Sequence, residues 1–212
     1  GAKRLVLGRE VSLEEAGKIR KEAEIEVELF IQGAMCMSYS GNCTISNYTA
    51  GRDSNRGGCV QSCRFSYSAI PDSAESADES AVRLPSSLMS SKDLRGMELL
   101  PEFIKTGVDS IKIEGRMKSS LYAATTTSAY ARALKWCNST SQWEWPEKLK
   151  ELSGMLEKIP HRGYTEASLK NSADAESIYQ GERNSRNSSY EIAGTVMEVE
   201  DDKSFTLLTQ NS

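Results

Sequence analysis

The sequence is poor in the residues on which most hydrolases depend. Its 212 residues include one histidine, His161. A zinc-protease motif, which sets two histidines on one helix face, is therefore excluded. A serine or cysteine protease is left with a single imidazole as its general base. No paired Asp-Thr-Gly stretch occurs, so an aspartic-protease dyad has no sequence support. No run of eighteen apolar residues is present, and nothing reads as a membrane-spanning helix. The apolar start, Leu5-Val6-Leu7, is too short for a signal peptide. Positive charge is not in excess: 26 Lys and Arg stand against 30 Asp and Glu, a net charge of −4. That balance argues against wholesale nucleic-acid binding, while leaving room for a local basic patch. The chain does not open with Met and begins in what reads as a strand, so an internal piece of a longer protein is expected. Five cysteines are an odd number, which suits a disulfide framework poorly and points to a reducing, cytoplasmic setting.

Hydrophobic residues make up 38% of the chain, enough for a packed core. Residues 4–7 read as a short buried strand. Ser12 with Glu15 forms a capping box that opens a helix with Leu13, Ala16 and Ile19 on its apolar face. Residues 25–31 alternate and then become wholly apolar, as in a strand. Leu88-Met89 reads as the start of a short strand. A helix is expected near 94–106 with Gly107 at its end, a strand over 109–113, and helices over about 119–136 and 145–158. Strand and helix alternate about four times, the pattern of parallel β/α architecture. Four units make half of a (β/α)8-type barrel, with the N-terminal half absent. The expected organisation is α/β: a partial barrel over 1–169, a linker over 170–189, and an all-β domain starting at 190–212. The last segment alternates around a turn at 200–203, as a hairpin does.

Two stretches break this pattern. Residues 68–87 are rich in Ser, Ala, Asp and Glu and read as an exposed insertion. Residues 33–67 are glycine-rich and carry Cys36, Cys43, Cys59 and Cys63, separated by six, fifteen and three residues. Long irregular segments inside compact domains are usually functional. Four thiolates satisfy either tetrahedral zinc or an iron–sulfur cluster. Zinc ribbons favour two closely spaced pairs, and only Cys59 and Cys63 meet that rule, whereas a cluster tolerates wider spacing. Two disulfides or four inert thiols stay open on spacing alone. Gly57 and Gly58 would let backbone approach a bound group closely. Cys137, beside Trp136, reads as a core residue.

Several motifs occur in one order. They are Glu28-Leu29-Phe30-Ile31-Gln32-Gly33-Ala34-Met35-Cys36, Ser40-Gly41-Asn42-Cys43 with Ser46, and Gly51-Arg52-Asp53-Ser54-Asn55-Arg56-Gly57-Gly58-Cys59. Gln61-Ser62-Cys63-Arg64, Ser91-Lys92-Asp93-Leu94, Lys112-Ile113-Glu114-Gly115-Arg116-Met117-Lys118 and His161-Arg162-Gly163-Tyr164-Thr165 follow. Together they resemble peptidase family U32, the collagenase-like peptidases. The C-terminal hairpin resembles the small β domain of the subgroup that includes the tRNA 5-hydroxyuridine synthases, which hydroxylate the wobble uridine of tRNA and depend on prephenate. The resemblance implies a 4Fe–4S cluster on Cys36, Cys43, Cys59 and Cys63, and tRNA as a partner. Two departures stand out: the missing barrel half, and an insertion at 68–87 that lacks the family's longer acidic and aromatic segment.

The candidate roles follow. Arg52, Arg56 and Arg64 flank the cysteines with Asp53 as the only acid among them. They suit an RNA phosphate, prephenate or another small anionic cosubstrate, and equally suit neutralisation of the thiolates. Glu114, Arg116 and Lys118 follow a strand directly, at the active face if the fold is a barrel, or form an internal ion pair. His161 is a general base or a structural histidine. Tyr39, Tyr48, Phe65 and Tyr67 are candidates to stack a base or to pack a lid. The expected function is RNA hydroxylation of the tRNA wobble-uridine type. A collagenase-like peptidase and a non-catalytic, cluster-stabilised scaffold are the alternatives.

Overall fold

A computed structural model describes residues 1–67, 89–139, 145–179, 190, 193–202 and 204–209. The expected insertion at 68–87 and Leu88, with residues 180–189 of the expected linker, lie outside these residues.

The first strand, β1 (Arg4–Val6), leads into helix α1 (Leu13–Ala23) and the long strand β2 (Glu26–Ala34). Ser12 caps α1 as its sequence demands. Its hydroxyl accepts from the Glu15 backbone at 3.2 Å, and the Glu15 carboxylate accepts from the Ser12 backbone at 2.9 Å. In β2, Val27, Leu29 and Ile31 point into the core and are almost wholly buried. A short helix α2 (Ile45–Ala50) interrupts the cysteine-bearing segment. After it come β3 (Asp93–Arg95), α3 (Leu100–Thr106), β4 (Ser110–Ile113), α4 (Ser120–Cys137), α5 (Trp145–Leu156) and β5 (Tyr164–Thr165).

β2 is the hub of the sheet. β1 and β4 both run parallel to it, with Arg4 opposite Glu26 and Glu28 opposite Ser110. β3 pairs with the last residues of β2 in the opposite direction, Ala34 opposite Asp93, and β5 runs parallel to β3. The architecture is thus α/β with a mixed sheet rather than the all-parallel one that the alternation predicts. Helices α4 and α5 pack against each other. The buried face of α4 includes Tyr122, Thr126, Ala129, Tyr130, Ala133 and Cys137, a helical spacing.

Three local expectations change. Residues 94–106 are not one helix: 93–95 form β3, a single 3-10 turn covers Met97–Leu99, and α3 begins only at Leu100. The cause is tertiary, since β3 completes the hydrogen bonding at the end of β2. Gly107 still ends α3, at a φ of +77°. Residues 4–6 are exposed rather than buried, because among the described residues β1 pairs only with β2; Leu7 is the buried residue. The expected linker is exposed over 170–176 but is tied to the core midway: Ile178 bridges Ser91, the Tyr179 backbone donates to Ser90 O at 2.8 Å, and Tyr179 is buried.

A separate antiparallel pair, β6 (Gly194–Val199) and β7 (Phe205–Thr209), forms the hairpin that the alternation predicts. Ser204 tightens its turn by donating to the Asp201 carboxylate. Val196, Met197, Val199, Phe205 and Leu208 are exposed.

Candidate functional site

The carboxyl ends of three parallel strands, β1, β2 and β4, converge on one hollow of about 480 Å3. Ligands of open α/β sheets commonly bind at this end of the strands. β1 delivers Arg9, β2 delivers Cys36, and β4 delivers Glu114 and Arg116. Cys43, Cys59 and Cys63 line the same hollow from the irregular segment.

That segment is held by short elements. Cys43 lies just before α2, Cys59 follows a 3-10 turn at Ser54–Arg56, and Cys63 sits in a second turn at Ser62–Arg64. Three hydroxyls join α2 to the second turn. Ser62 shares hydrogen bonds with Ser46 at 3.4 Å and Thr49 at 2.5 Å, and Ser46 accepts from the Val60 backbone at 3.3 Å. Gly58 has a different task from the one its sequence suggests. A Cβ there would lie 2.7 Å from the Asp53 carbonyl, so the glycine lets this turn close on itself. Gly33 is equally constrained: its φ is +114°, and a Cβ would meet the Glu114 carbonyl at 2.2 Å.

All five cysteines are free thiols in this structure, with no bridge between any two. Part of Cys36 reaches solvent, yet enough protein surrounds its sulfur that burial pushes the thiol pKa up, against the pull of Arg9. Burial likewise raises the Cys63 thiol, against Arg64. Burial also acts upward on Cys43. There the backbone N–H groups of Ile45 and Ser46 and the side chains of Ser54 and Ser38 outweigh it and bring the thiol below its ordinary value.

Would these residues suit the group that the motifs imply? Among the described residues, no three His, Cys, Asp or Glu side chains converge closely enough to hold one ion. A tetrahedral zinc ion needs four donors within about 2.3 Å of one point. The thiols instead surround a hollow, which suits a larger body bound at its corners by soft ligands. Arg9, Arg64, Lys112 and Arg116 line the hollow as well, a fitting environment for an anionic group.

The other candidates separate. The Glu114 carboxylate accepts from the backbones of Ala34 (3.1 Å) and Arg116 (3.2 Å), fixing the mouth of β4 against β2. The Arg116 guanidinium donates to the carbonyls of Gly57 and Cys59. Lys118 is not at the hollow: it pairs with the wholly buried Asp93 at 2.7 Å and lies 5.0 Å from the Tyr122 ring centre. Of the three flanking arginines, only Arg64 reaches the hollow, and its side chain is 5% exposed. Arg64 donates to the Met35 carbonyl at 3.1 Å. Arg52 and Arg56 are exposed and do not line the hollow; Arg56 pairs with Asp53 at 3.5 Å.

His161 lies elsewhere. It is buried against Tyr164, ring centres 4.2 Å apart, and its Nδ1 accepts from the Gly163 backbone at 3.0 Å. Burial lowers its pKa, opposed by Glu157 and Asp93. This is a packed structural histidine. Tyr39 is exposed at the hollow, Tyr48 is exposed away from it, Phe65 is also exposed, and the Tyr67 hydroxyl donates to Ser62 O.

Sequence reasoning missed Arg9, Phe30, Lys112 and Asn55. Arg9 lies over the Phe30 ring at 4.1 Å, and its buried Nε has no hydrogen-bond partner among the described residues. Lys112 neutralises Glu28 at 2.7 Å. Asn55 binds both backbone groups of Cys43. Arg9 and Lys112 had one visible signal, their place near the carboxyl ends of expected strands.

Three known proteins show how far the chain's likeness extends. The tRNA hydroxylation protein P1 of Bacillus subtilis is 37% identical over the whole of this chain and half of its own. The 23S rRNA 5-hydroxycytidine synthase of Escherichia coli is 37% identical over 63% of this chain and 20% of its own. A collagenase of Porphyromonas gingivalis is 33% identical over 59% of this chain and 35% of its own. The chain spans about half the length of the tRNA hydroxylation proteins of Bacillus subtilis and Escherichia coli. No solved structure gives a significant match. The model of Peptidase family U32 matches residues 1–179, and the chain belongs to that family.

Proposed function

We propose that this chain is part of an RNA hydroxylation protein acting on the wobble uridine of tRNA, with a 4Fe–4S cluster on Cys36, Cys43, Cys59 and Cys63. The observation that carries this reading is the likeness to a tRNA hydroxylation protein along the entire chain, hairpin included. The mixed sheet is read as the C-terminal half of a (β/α)8-type barrel, and the hairpin as the start of a small β domain.

The bound cluster would supply one-electron redox chemistry. The chain's own residues bind, orient and shield. Arg9 and Arg116 bring positive charge to the rim, where they attract an anionic partner, and Arg9 also pulls Cys36 toward thiolate against its burial. A small anionic cosubstrate of the prephenate kind would meet Arg9 first, because Arg64 and Lys112 are already paired with acids. Arg52 and Arg56, outside the hollow and exposed, suit RNA phosphates. Glu114 spends both carboxylate oxygens on backbone N–H groups and keeps the rim in shape.

The peptidase reading draws on the family's name and the collagenase relative. Its general base would have to be His161, which is buried, stacked and away from the hollow. Nucleoside analysis of tRNA from a strain lacking the full-length gene tests the proposal. Loss of 5-hydroxyuridine derivatives is expected. An unchanged nucleoside profile would remove it.

A further inference from the structure

The Met35 carbonyl, one residue before Cys36, accepts two hydrogen bonds from side chains distant in sequence. Arg64 Nη2 donates at 3.1 Å and Ser91 Oγ at 2.7 Å. Arg64 is also the residue immediately after Cys63. Its other terminal nitrogen, Nη1, lies 3.7 Å from Asp93 Oδ1, and among the described residues neither atom has a hydrogen-bond partner. Asp93 Oδ2 is held by Lys118 at 2.7 Å. Arg64 and Asp93 are at most 5% exposed in their side chains. Ser91 is 6% exposed.

We infer that Arg64, seated on Asp93 and seconded by Ser91, is a positioning residue that locks the Cys36 and Cys63 arms of the segment together in the geometry a bound cluster needs. The inference rests on the cluster reading above. It gives Arg64 a different role from anion binding, since its guanidinium is spent on a backbone carbonyl and a buried carboxylate. Burial of a charge without close pairing is costly, so a guanidinium kept at this depth must be fixed by its surroundings. A fixed guanidinium in turn fixes the peptide that it binds. The Met35 carbonyl then sets where Cys36 points, and the one-residue link from Arg64 sets Cys63.

The test uses the full-length protein that carries this segment, purified anaerobically as wild type, Arg64→Met, Arg64→Lys, Ser91→Ala and the exposed control Lys21→Gln. Iron and sulfide per chain, the EPR line of the reduced cluster and the rate of iron loss to a ferrous chelator are measured, with circular dichroism for the fold. Arg64→Met should hold less than half of the wild-type iron while remaining folded. Arg64→Lys, which keeps the charge but reaches the Met35 carbonyl less well, should recover part of it. Ser91→Ala should bind full iron, change the EPR line and lose iron about fivefold faster, the effect of roughly one hydrogen bond. Wild-type iron content, chelation rate and EPR line in both Arg64→Met and Ser91→Ala would overturn the inference. If Arg64→Met fails to fold, an unchanged chelation rate in Ser91→Ala overturns it alone. A wild-type protein without iron would instead overturn the cluster reading itself, and the inference with it.

Discussion

The cysteines are held by two clasps of opposite character. On the sheet side, Arg64, Asp93, Ser91 and Lys118 fix Cys36 and Cys63 from within the core. On the solvent side, Arg116 grips the carbonyls of Gly57 and Cys59, and Asn55 brackets the backbone of Cys43. Both use a polar side chain to fix a backbone group next to a cysteine. The dielectric around them differs. In the core an unpaired charge is intolerable, so that clasp is coupled to the stability of the whole sheet. At the surface water replaces a lost partner, so that clasp acts on the local order of the segment and little else.

The comparison is sharpest at Asp93. Asp93→Ala strips Lys118 and Arg64 of their buried carboxylate and should cost about 3–5 kcal/mol in denaturant unfolding. A loss below ~1 kcal/mol would mean that the core clasp is no more than a surface ion pair. Gly33→Ala should cost about 1–3 kcal/mol, because the new methyl meets the Glu114 carbonyl and the φ of +114° disfavours any side chain. The same measurement checks it, and a neutral result would show that β2 and β4 can shift apart. Asn55→Ala should cost about 1 kcal/mol or less, yet limited proteolysis should cut the segment around Cys43 faster. Arg116→Met should leave global stability within ~1 kcal/mol and likewise speed cleavage near Cys59. Equal losses for Asp93→Ala and Arg116→Met would break the distinction between the clasps.

The smallest effect concerns pH. Burial, aided by Lys118 and Arg95, holds the folded-state pKa of His161 below its ordinary 6.5, against Glu157 and Asp93. Between the two values the unfolded chain binds more protons than the folded one. This contribution is therefore whole above pH 6.5 and declines as pH falls toward the folded value. His161→Gln should flatten the pH dependence of unfolding in that window. An unchanged slope would place the titration elsewhere.

Much of this was legible locally. The capping box at Ser12 and Glu15, the stop at Gly107, the helix over about 119–136 and the final hairpin all rest on contacts between near neighbours, which sequence displays directly. The strand at 93–95 was not legible, because Asp93-Leu94-Arg95 becomes a strand only when the end of β2 is there to pair with. The same blindness hid the fate of Arg64. Beside Cys63 it reads as a surface cation for an anion, and only the fold shows the carboxylate beneath it.

By itself, then, the sequence determined the alternation of elements, the four spaced thiols and the likeness to one family, since each is written in residue order. The tertiary structure decided which charges face the hollow and which are used up in the core. Desolvation makes that choice: a buried cation must find its acid, and only what remains at the rim, Arg9 foremost, is left for a partner.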